Sequence, residues 1–250
     1  MPSLAPRVPS PEHASEADLV GSLVEMVEHP DYPCLGARSV VHRSRAFVHV
    51  YPELGTAATA AQLLDDLAEF ARGIDLGEGF ASFVAVFRGP RVRDEAHFER
   101  VLWAQLRALH EQDVQPWAQG VSADPADPHF AFSAGGTAYF VVGLHPEASR
   151  TARRAAVPTL VFNLHEQFEQ LRAEGRFPPM RERIRARDAR LQGDVNPMVG
   201  DHGEASEARQ YSGRAVGPEW RAPFGSDPAT VEAPAKGRVG GPGPDRGTGR

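Results

Sequence analysis

One stretch in the second half of the chain brings together two histidines and three arginines near the ends of predicted strands. His145 follows an apolar run at 139–142, and His165 follows a second apolar run at 159–162. An imidazole binds metals and heme iron, and arginines pair with carboxylates or phosphates. Because loops after strands commonly carry functional side chains, this stretch is a candidate site. The alternative is structural, with a histidine that only shapes a turn and arginines that are solvated. The arginines are Arg150, Arg153 and Arg154.

Two further features of the sequence bear on metal chemistry. Cys34 is the single cysteine, which excludes an internal disulfide and a zinc or iron–sulfur site built from several cysteines. It is either a small buried hydrophobic residue or a thiol that faces a site. His165 and Glu169 are four residues apart and share one face of a predicted helix. They either hold a metal together with a further ligand or form a surface pair.

Composition and motif searches exclude several classes of protein. The chain has 250 residues, of which 41% are hydrophobic, enough for one large domain or two small ones. A net charge of −6 disfavours nucleic acid as the main partner. We find no apolar secretory signal and no apolar run of about 20 residues that would span a membrane, so we expect a cytoplasmic protein without a membrane partner. Dinucleotide-binding, P-loop and G-x-S-x-G motifs are also absent.

Hydrophobic periodicity predicts about five to six strands and five helices. Amphipathic patterns indicate helices over 56–72 and 94–113, and a strongly charged helix over 180–191 is expected to be solvated. Because strands arrive as hairpins with helices between them, we predict an α+β fold, a mostly antiparallel β-sheet built from hairpins with helices packed against it. The predicted hairpins pair 39–42 with 46–51 and 130–133 with 137–142.

The two ends of the chain differ from its middle. Residues 1–15 are polar and proline-rich, and we predict a disordered arm there. Residues 227–250 are rich in glycine and proline with almost no apolar side chain, which predicts a disordered C-terminal tail. The sequence between them, 16–226, is expected to form a single α+β domain.

Several unrelated strings of this chain, from about residue 32 to 224, resemble the YqcI/YcgG family when taken together in order. They are PCLGAR (33–38), SFVAVFRGP (82–90), FVVGLHP (140–146), ASR (148–150), FNLHEQF (162–168), NPM (196–198) and SEARQYSGR (206–214). The resemblance implies a heme-dependent N-hydroxylase, a monooxygenase of small-molecule biosynthesis. Characterised members act on the guanidino group of L-arginine or of the arginine-derived amino acid enduracididine.

A heme protein needs an axial ligand, apolar walls and cations for the propionates. His145 is the first candidate for the iron ligand, and as a loop residue it is expected to carry little packing energy. His165 is the second, because a helix N-terminus would keep its imidazole neutral. Cys34, as a thiolate, is the third. The candidate propionate partners are Arg38, Arg150, Arg153, Arg154 and Arg214.

A guanidino or amino substrate is cationic, so the resemblance also implies carboxylates that bind it. Molecular oxygen would react at the iron, and an external reductase would serve as electron donor, since no flavin or NAD motif is present. The alternatives are a heme-binding sensor or carrier without catalysis, and a structural domain without heme. The candidate carboxylates are Asp188, Asp201, Glu204 and Glu207.

Overall fold

The computed structural model describes residues 4, 8, 10–194 and 205–224. Its centre is a five-stranded sheet with the strand order β1-β2-β5-β4-β3. Strands β1 and β2 are parallel, whereas the other neighbouring strands are antiparallel. The strands are β1 (Ala46–Glu53), β2 (Ser82–Gly89), β3 (Phe132–Ala134), β4 (Thr137–Leu144) and β5 (Thr159–Leu164). The predicted tail at 227–250 lies outside the described residues.

Helices cover both faces of this sheet. The predicted helices over 56–72 and 94–113 are confirmed as α3 and α4, each with a capping side chain, from Thr56 and Asp94 respectively. The charged helix is confirmed as α6, and none of its described side chains is fully buried. The helices are α1 (Glu16–Glu28), α2 (Leu35–His42), α3 (Ala57–Gly73), α4 (Glu95–Gln112), α5 (His165–Ala173), α6 (Phe177–Gln192) and α7 (Ala208–Tyr211).

The α+β class is confirmed, but the sheet is mixed and not mostly built from hairpins. The predicted hairpin of 39–42 with 46–51 is wrong, because residues 39–42 end helix α2. Cys34 caps that helix, with its Sγ accepting the Ala37 N–H at 3.4 Å, and Val40 is buried on its inner face. Capping and packing thus outweigh the β propensity of a short valine-containing run. Strand β1 pairs instead with β2, reached through α3.

Strand β2 explains how the two layers of helices attach. Its alternate side chains point to opposite faces, and nearly all are buried because both faces are covered. Phe83 and Ala85 join the larger core beneath α3 and α4. Val84 and Val86 pack on the other face with Leu19 of α1.

The second predicted hairpin, β3–β4, is confirmed, and its turn uses Gly135 and Gly136 with φ of 60° and 73°. Strand β3 is short and pairs only with 137–139 of β4. Past that point α7 packs against β4, so the Tyr211 hydroxyl accepts the N–H of Phe132 at 3.1 Å. One edge of β4 is thereby lined by α7, and the strand ends directly before His145.

Leu4 and Val8, from the predicted arm at 1–15, pack against the apolar clusters under α1 and α2. Among the helices of the described residues, none combines the length and apolar character needed to cross a membrane. The domain boundaries at 16 and 226 stay a prediction.

Candidate functional site

His145, directly after the end of β4, is a fully buried polar side chain without a hydrogen bond to any described residue. It is 0% exposed, and its ring stacks on Phe98 of α4 with centroids 4.2 Å apart. Neither ring nitrogen has a hydrogen-bond partner among the described residues. Leaving such a group unpaired costs about 1–3 kcal/mol, so an unpaired buried imidazole calls for an explanation. Because it is enclosed and stacked, the expectation that His145 carries little packing energy is wrong.

The environment of His145 keeps the imidazole neutral. Burial, together with the positive charge of Arg153, lowers its pKa from 6.5 to about 4, whereas Asp94 acts in the opposite direction. The main chain holds the residue in place, since its N–H donates to the carbonyl of Arg153 at 2.9 Å. A neutral imidazole with two unpaired nitrogens is the form that binds a metal or a heme iron.

Gly143, two residues earlier on the same side of β4, allows the neighbouring elements to come close. A Cβ atom built there would lie 2.6 Å from Phe98 Cε1, 2.8 Å from Leu102 Cδ1 and 2.8 Å from the carbonyl oxygen of Tyr211. Only glycine therefore lets α4 and α7 pack directly on the end of β4. The aromatic and aliphatic wall beside His145 depends on this close approach.

Arg153 joins the elements around this end of the sheet. Its guanidinium donates to the carbonyl oxygens of Gly143 at 3.0 Å and Tyr211 at 3.2 Å. Burial lowers its pKa, and the ionisable groups of Tyr32 and Cys34 raise it. Among the described residues no carboxylate lies within ion-pairing distance of Arg153. The acceptors of its hydrogen bonds are neutral carbonyl groups, and its positive charge acts on His145.

The arginines predicted as propionate partners fall into two groups. Arg150 and Arg214 are paired with carboxylates, Arg150 with Asp188 and Asp194 and Arg214 with the buried Glu99. These positive charges are already neutralised. Asp188, predicted to bind a substrate cation, is held by an internal guanidinium.

The second group donates to backbone carbonyls. Arg38 binds the carbonyl of His29 at 2.7 Å, where it caps the C-terminal end of α1. Arg154 binds the carbonyls of Ala148 at 2.6 Å and Ser149 at 3.1 Å. Such contacts fix the side chain but leave its charge uncompensated. Arg154 follows Arg153 directly, and in sequence it lies much nearer to His145 than Arg38 does.

The other two candidate ligands lie elsewhere. Strands β4 and β5 are antiparallel, so Leu144 pairs with Thr159 and Tyr139 pairs with Leu164. His145 and His165 therefore follow opposite ends of this pair, separated by roughly 17 Å of strand at ~3.4 Å per residue. The structure does not bring the two histidines into one site.

His165 and Cys34 also have local roles. His165 Nε2 lies 3.7 Å from Glu169 Oε1, which confirms the i, i+4 pair on α5. Cys34 caps α2, and burial raises the pKa of its thiol. A protonated thiol is a poor iron ligand, so the thiolate alternative loses support.

Glu207 is the second buried titratable group of this region. It accepts the Tyr211 hydroxyl at 2.5 Å. Burial raises the pKa of the Glu207 carboxyl to about 8, while Tyr211 and Arg172 act to lower it. Glu207 thus lies toward the Tyr139 end of β4, away from His145. The remaining candidates, Asp201 and Glu204, lie outside the described residues.

Sequence reasoning named Arg153 only as one of three arginines, and it missed three residues that build the site: Phe98, Gly143 and Tyr211. Gly143 and Tyr211 stand inside the family-resembling strings, so a signal existed for them. Phe98 looked like any other apolar residue of an amphipathic helix. Over the residues the structure describes, no group of three or more histidine, cysteine or acidic side chains is placed to hold a metal ion.

Fold and site together define a class: an α+β protein with a mixed sheet and a buried, unpartnered histidine at one end of it. The model of the YqcI/YcgG family matches residues 23–225, and the chain belongs to this family. It is similar to "Uncharacterized protein YcgG" of Bacillus subtilis (strain 168), at 28% identity over 192 residues that cover 72% of this chain and 75% of that protein. No solved structure gives a significant match. The predicted family membership is confirmed.

Proposed function

We propose that this protein is a heme-dependent monooxygenase that N-hydroxylates a guanidino group of arginine or of an arginine-derived amino acid, with His145 as the iron ligand. The observation that carries the proposal is the neutral, fully buried imidazole, which has no hydrogen-bond partner in the part of the chain that the structure describes. Iron coordination would satisfy one ring nitrogen and offset the cost of burying it.

The residues around His145 fit a heme in several respects. Phe98 and Leu102 supply an apolar wall, which a macrocycle requires. Arg153 and Arg154 donate to backbone carbonyls and form no ion pair among the described residues, so they are the proposed partners of the propionates. Arg150 and Arg214 do not suit that role, because carboxylates already neutralise them. When bound, the heme would supply the redox-active iron at which dioxygen is reduced and one oxygen atom is transferred.

Access to His145 requires a movement. The imidazole is 0% exposed, so a large planar ligand reaches it only if a covering segment shifts. The covering elements are Phe98 on α4 and the segment that carries Tyr211, whose carbonyl oxygen approaches Gly143. Of these, α7 is the shorter element, with four residues against eighteen in α4. We propose that the segment around α7 moves.

Asp188 is the proposed substrate carboxylate. It and His145 both lie within electrostatic range of Arg153, whereas Glu207 lies toward the opposite end of β4. Asp188 already binds a guanidinium, that of Arg150, which is the same chemical group as the proposed substrate. Arg150 holds a second carboxylate, Asp194, so a substrate can replace it at Asp188 without leaving its charge unpaired.

Turnover by the heme-loaded protein tests this function. The protein is incubated with arginine, an electron-donating reductase and NADH, and the product is analysed by mass spectrometry. We expect a product that has gained one oxygen atom on the guanidino group, and Asp188→Asn should raise KM more than it lowers kcat. Glu182→Gln is the matched control, because Glu182 lies on the same helix as Asp188 and its side chain is 62% exposed. Heme binding with no hydroxylated product from any guanidino compound would reject the enzyme.

That last result would favour the second candidate, a heme-binding sensor or carrier without catalysis. One observation supports it: Asp188 is occupied by Arg150, so the described residues hold no carboxylate near His145 that is free of an internal partner. A sensor needs no substrate carboxylate. It would show a heme spectrum and a conformational response to heme, without substrate-dependent consumption of NADH.

A further inference from the structure

The ring of Phe224 fills a pocket that is lined by aromatic side chains. Five rings surround it, with centroids between 5.6 and 6.4 Å from its own. Phenylalanine offers no acceptor to this pocket, and the buried indole N–H groups of Trp103 and Trp117 bind no described residue. We call the set of five rings the aromatic pocket. The rings are those of Trp103 and His110 on α4, and of Trp117, Phe130 and Phe132.

Phe224 belongs to a segment, residues 218–224, that we call the strap. The strap contains no helix and no strand. Its alternate side chains, at 220, 222 and 224, pack against the core, whereas those at 219 and 221 are exposed. In the part of the chain that the structure describes, one hydrogen bond joins the strap to the body, from Arg107 Nη2 to the carbonyl of Pro223. The strap is therefore held mainly by its buried side chains, and a ligand that fills the same space can displace it.

Arg107 of α4, beside the aromatic pocket, uses its guanidinium only in part. The bond from its Nη2 to the Pro223 carbonyl is 3.3 Å long, and its buried Nε has no acceptor among the described residues. No carboxylate of those residues pairs with it. A carboxylate can accept from Nε and Nη2 together, and such a bidentate pair is shorter and stronger than one bond to a neutral carbonyl. The place that the Pro223 carbonyl occupies therefore suits a carboxylate better.

We propose that the aromatic pocket and Arg107 bind a small aromatic carboxylic acid, with the strap as a cover that this ligand displaces. The ring of the acid takes the place of the Phe224 ring, and its carboxylate takes the place of the Pro223 carbonyl. This site goes beyond the proposed function. Phe98, which stacks on His145, precedes Arg107 by nine residues of α4, roughly 13.5 Å along the helix axis. The five rings of the pocket also lie outside α7.

The strap itself indicates the length of the ligand. Three atoms link the Pro223 carbonyl carbon to the phenyl ring of the next residue: the amide nitrogen, Cα and Cβ of Phe224. The compound 4-phenylbutyrate has three methylene groups between its carboxylate carbon and its ring. It therefore reaches the aromatic pocket and Arg107 at the same time, and it adds the negative charge that the carbonyl lacks.

Titration of the full-length protein with 4-phenylbutyrate tests the site. Trp103 and Trp117 line the pocket, so binding should change the tryptophan fluorescence in a saturable way. The neutral 4-phenylbutyramide has the same ring and the same length, and we expect it to bind at least about tenfold more weakly, because hydrogen bonds to a charged group are the stronger ones. Equal affinity for the two compounds, or no saturable change with 4-phenylbutyrate, would overturn the proposed site.

A variant of Arg107 tests the role of the guanidinium. Arg107→Gln should weaken the binding of 4-phenylbutyrate by about tenfold, to the level of 4-phenylbutyramide. Arg100→Gln is the matched control, since it removes the same charge from the same helix two turns earlier, and it should bind 4-phenylbutyrate like wild type. Unchanged affinity in Arg107→Gln, or an equal loss in both variants, would show that the carboxylate does not bind Arg107.

A variant of Phe224 tests the competition between strap and ligand. In Phe224→Ala the aromatic pocket is no longer filled by the strap, so 4-phenylbutyrate should bind about tenfold more tightly than to wild type. Phe47→Ala is the control, because it removes a phenylalanine that is 41% exposed on β1, far from the strap in sequence. Unchanged or weaker binding by folded Phe224→Ala would mean that the ligand and Phe224 do not share one place, and would overturn the proposal.

Displacement of the strap can also be measured in the wild-type protein, which decides the question if Phe224→Ala does not fold. Arg221 is exposed on the strap, so trypsin cleavage between Arg221 and Ala222 reports whether the strap is packed or released. We expect 4-phenylbutyrate to accelerate cleavage at Arg221 several-fold and to leave cleavage at the exposed Arg91 unchanged, as followed by mass spectrometry. Saturable binding without faster cleavage at Arg221 would overturn the strap as a displaceable cover.

Discussion

His145 and Glu207 are both buried titratable side chains beside β4, yet they differ in one respect. Burial drives each toward its neutral form, so the pKa of His145 falls to about 4 and that of Glu207 rises to about 8. Glu207 is nevertheless satisfied, because Tyr211 donates a hydrogen bond to it. His145 has no such partner among the described residues. A shifted pKa alone therefore does not distinguish the two side chains, whereas the unused hydrogen-bonding atoms of His145 do.

The difference arises from what packs against each end of β4. At the Tyr139 end, α7 directs a tyrosine hydroxyl into the gap beyond β3, and that hydroxyl serves both Phe132 and Glu207. At the other end, Gly143 lets the ring of Phe98 and the carbonyl oxygen of Tyr211 come close, yet no group among the described residues hydrogen-bonds the imidazole. At the Tyr139 end the buried polar groups form a hydrogen-bond network. At the His145 end the imidazole is buried, but its two nitrogens bind no described residue.

The largest expected effect on stability comes from adding one methyl group at the His145 end of β4. Gly143→Ala places a Cβ 2.8 Å from a backbone carbonyl oxygen, which cannot rotate away, so we expect a loss of about 3 kcal/mol of unfolding free energy. Gly21→Ala in α1 is the control, since nothing lies within 4 Å of its Cβ and alanine favours helix. Urea denaturation measures both. Equal stability of Gly143→Ala and wild type would mean that α4 and α7 do not pack on β4 as described.

The next effect is acid sensitivity from His145. Its folded pKa of about 4 lies below the ordinary value of 6.5, so the unfolded chain binds the proton first as the pH falls. Stability is therefore full above pH 6.5 and is lost as the pH falls toward 4, by up to roughly 3 kcal/mol for a shift of this size. His145→Gln, which does not titrate, should flatten this part of the curve of unfolding free energy against pH. An unchanged acid slope in the variant would show that His145 is accessible to protons in the folded state.

Glu207 should give an effect of opposite sign. Its folded pKa of about 8 lies above the ordinary value of 4.5, so the folded state holds a proton that the unfolded chain has lost. Its contribution is full below pH 4.5 and is lost as the pH rises through 8. Glu207→Gln keeps an acceptor for Tyr211 and should make the variant more stable than wild type at pH 9 relative to pH 5, by about 1 kcal/mol or more. Parallel pH curves for the two proteins would contradict a buried, protonated Glu207.

The sequence predicted those elements whose local pattern and tertiary packing agree. Strands β4 and β5 and helices α3 and α4 have clear periodicity, and the structure matches their expected positions closely. The run at 39–42 was misread because its β-branched residues favour a strand, while the cap from Cys34 and the contacts of Val40 favour a helix. Those contacts come from the tertiary fold and leave no trace in the local pattern.

The site was predictable only in part, for a geometric reason. His145 could be found because it follows a strong strand pattern and begins a basic loop. Its separation from His165 follows from the antiparallel pairing of β4 with β5, which periodicity does not reveal. The same holds for Arg153: sequence places three arginines in one turn, but only packing decides which of them meets a carboxylate.

Coordination of iron by His145 is tested most directly by the absorption spectrum of the protein titrated with hemin, then reduced and exposed to carbon monoxide. Wild type should show a saturable Soret band of the histidine-ligated type. His145→Gln should fold, as judged by circular dichroism, but bind heme weakly or with a shifted band, while His165→Gln should match wild type because its partner Glu169 is on the same helix and distant from the site. An unaltered spectrum in folded His145→Gln, or no heme binding by wild type, would contradict the assignment of His145 as the iron ligand.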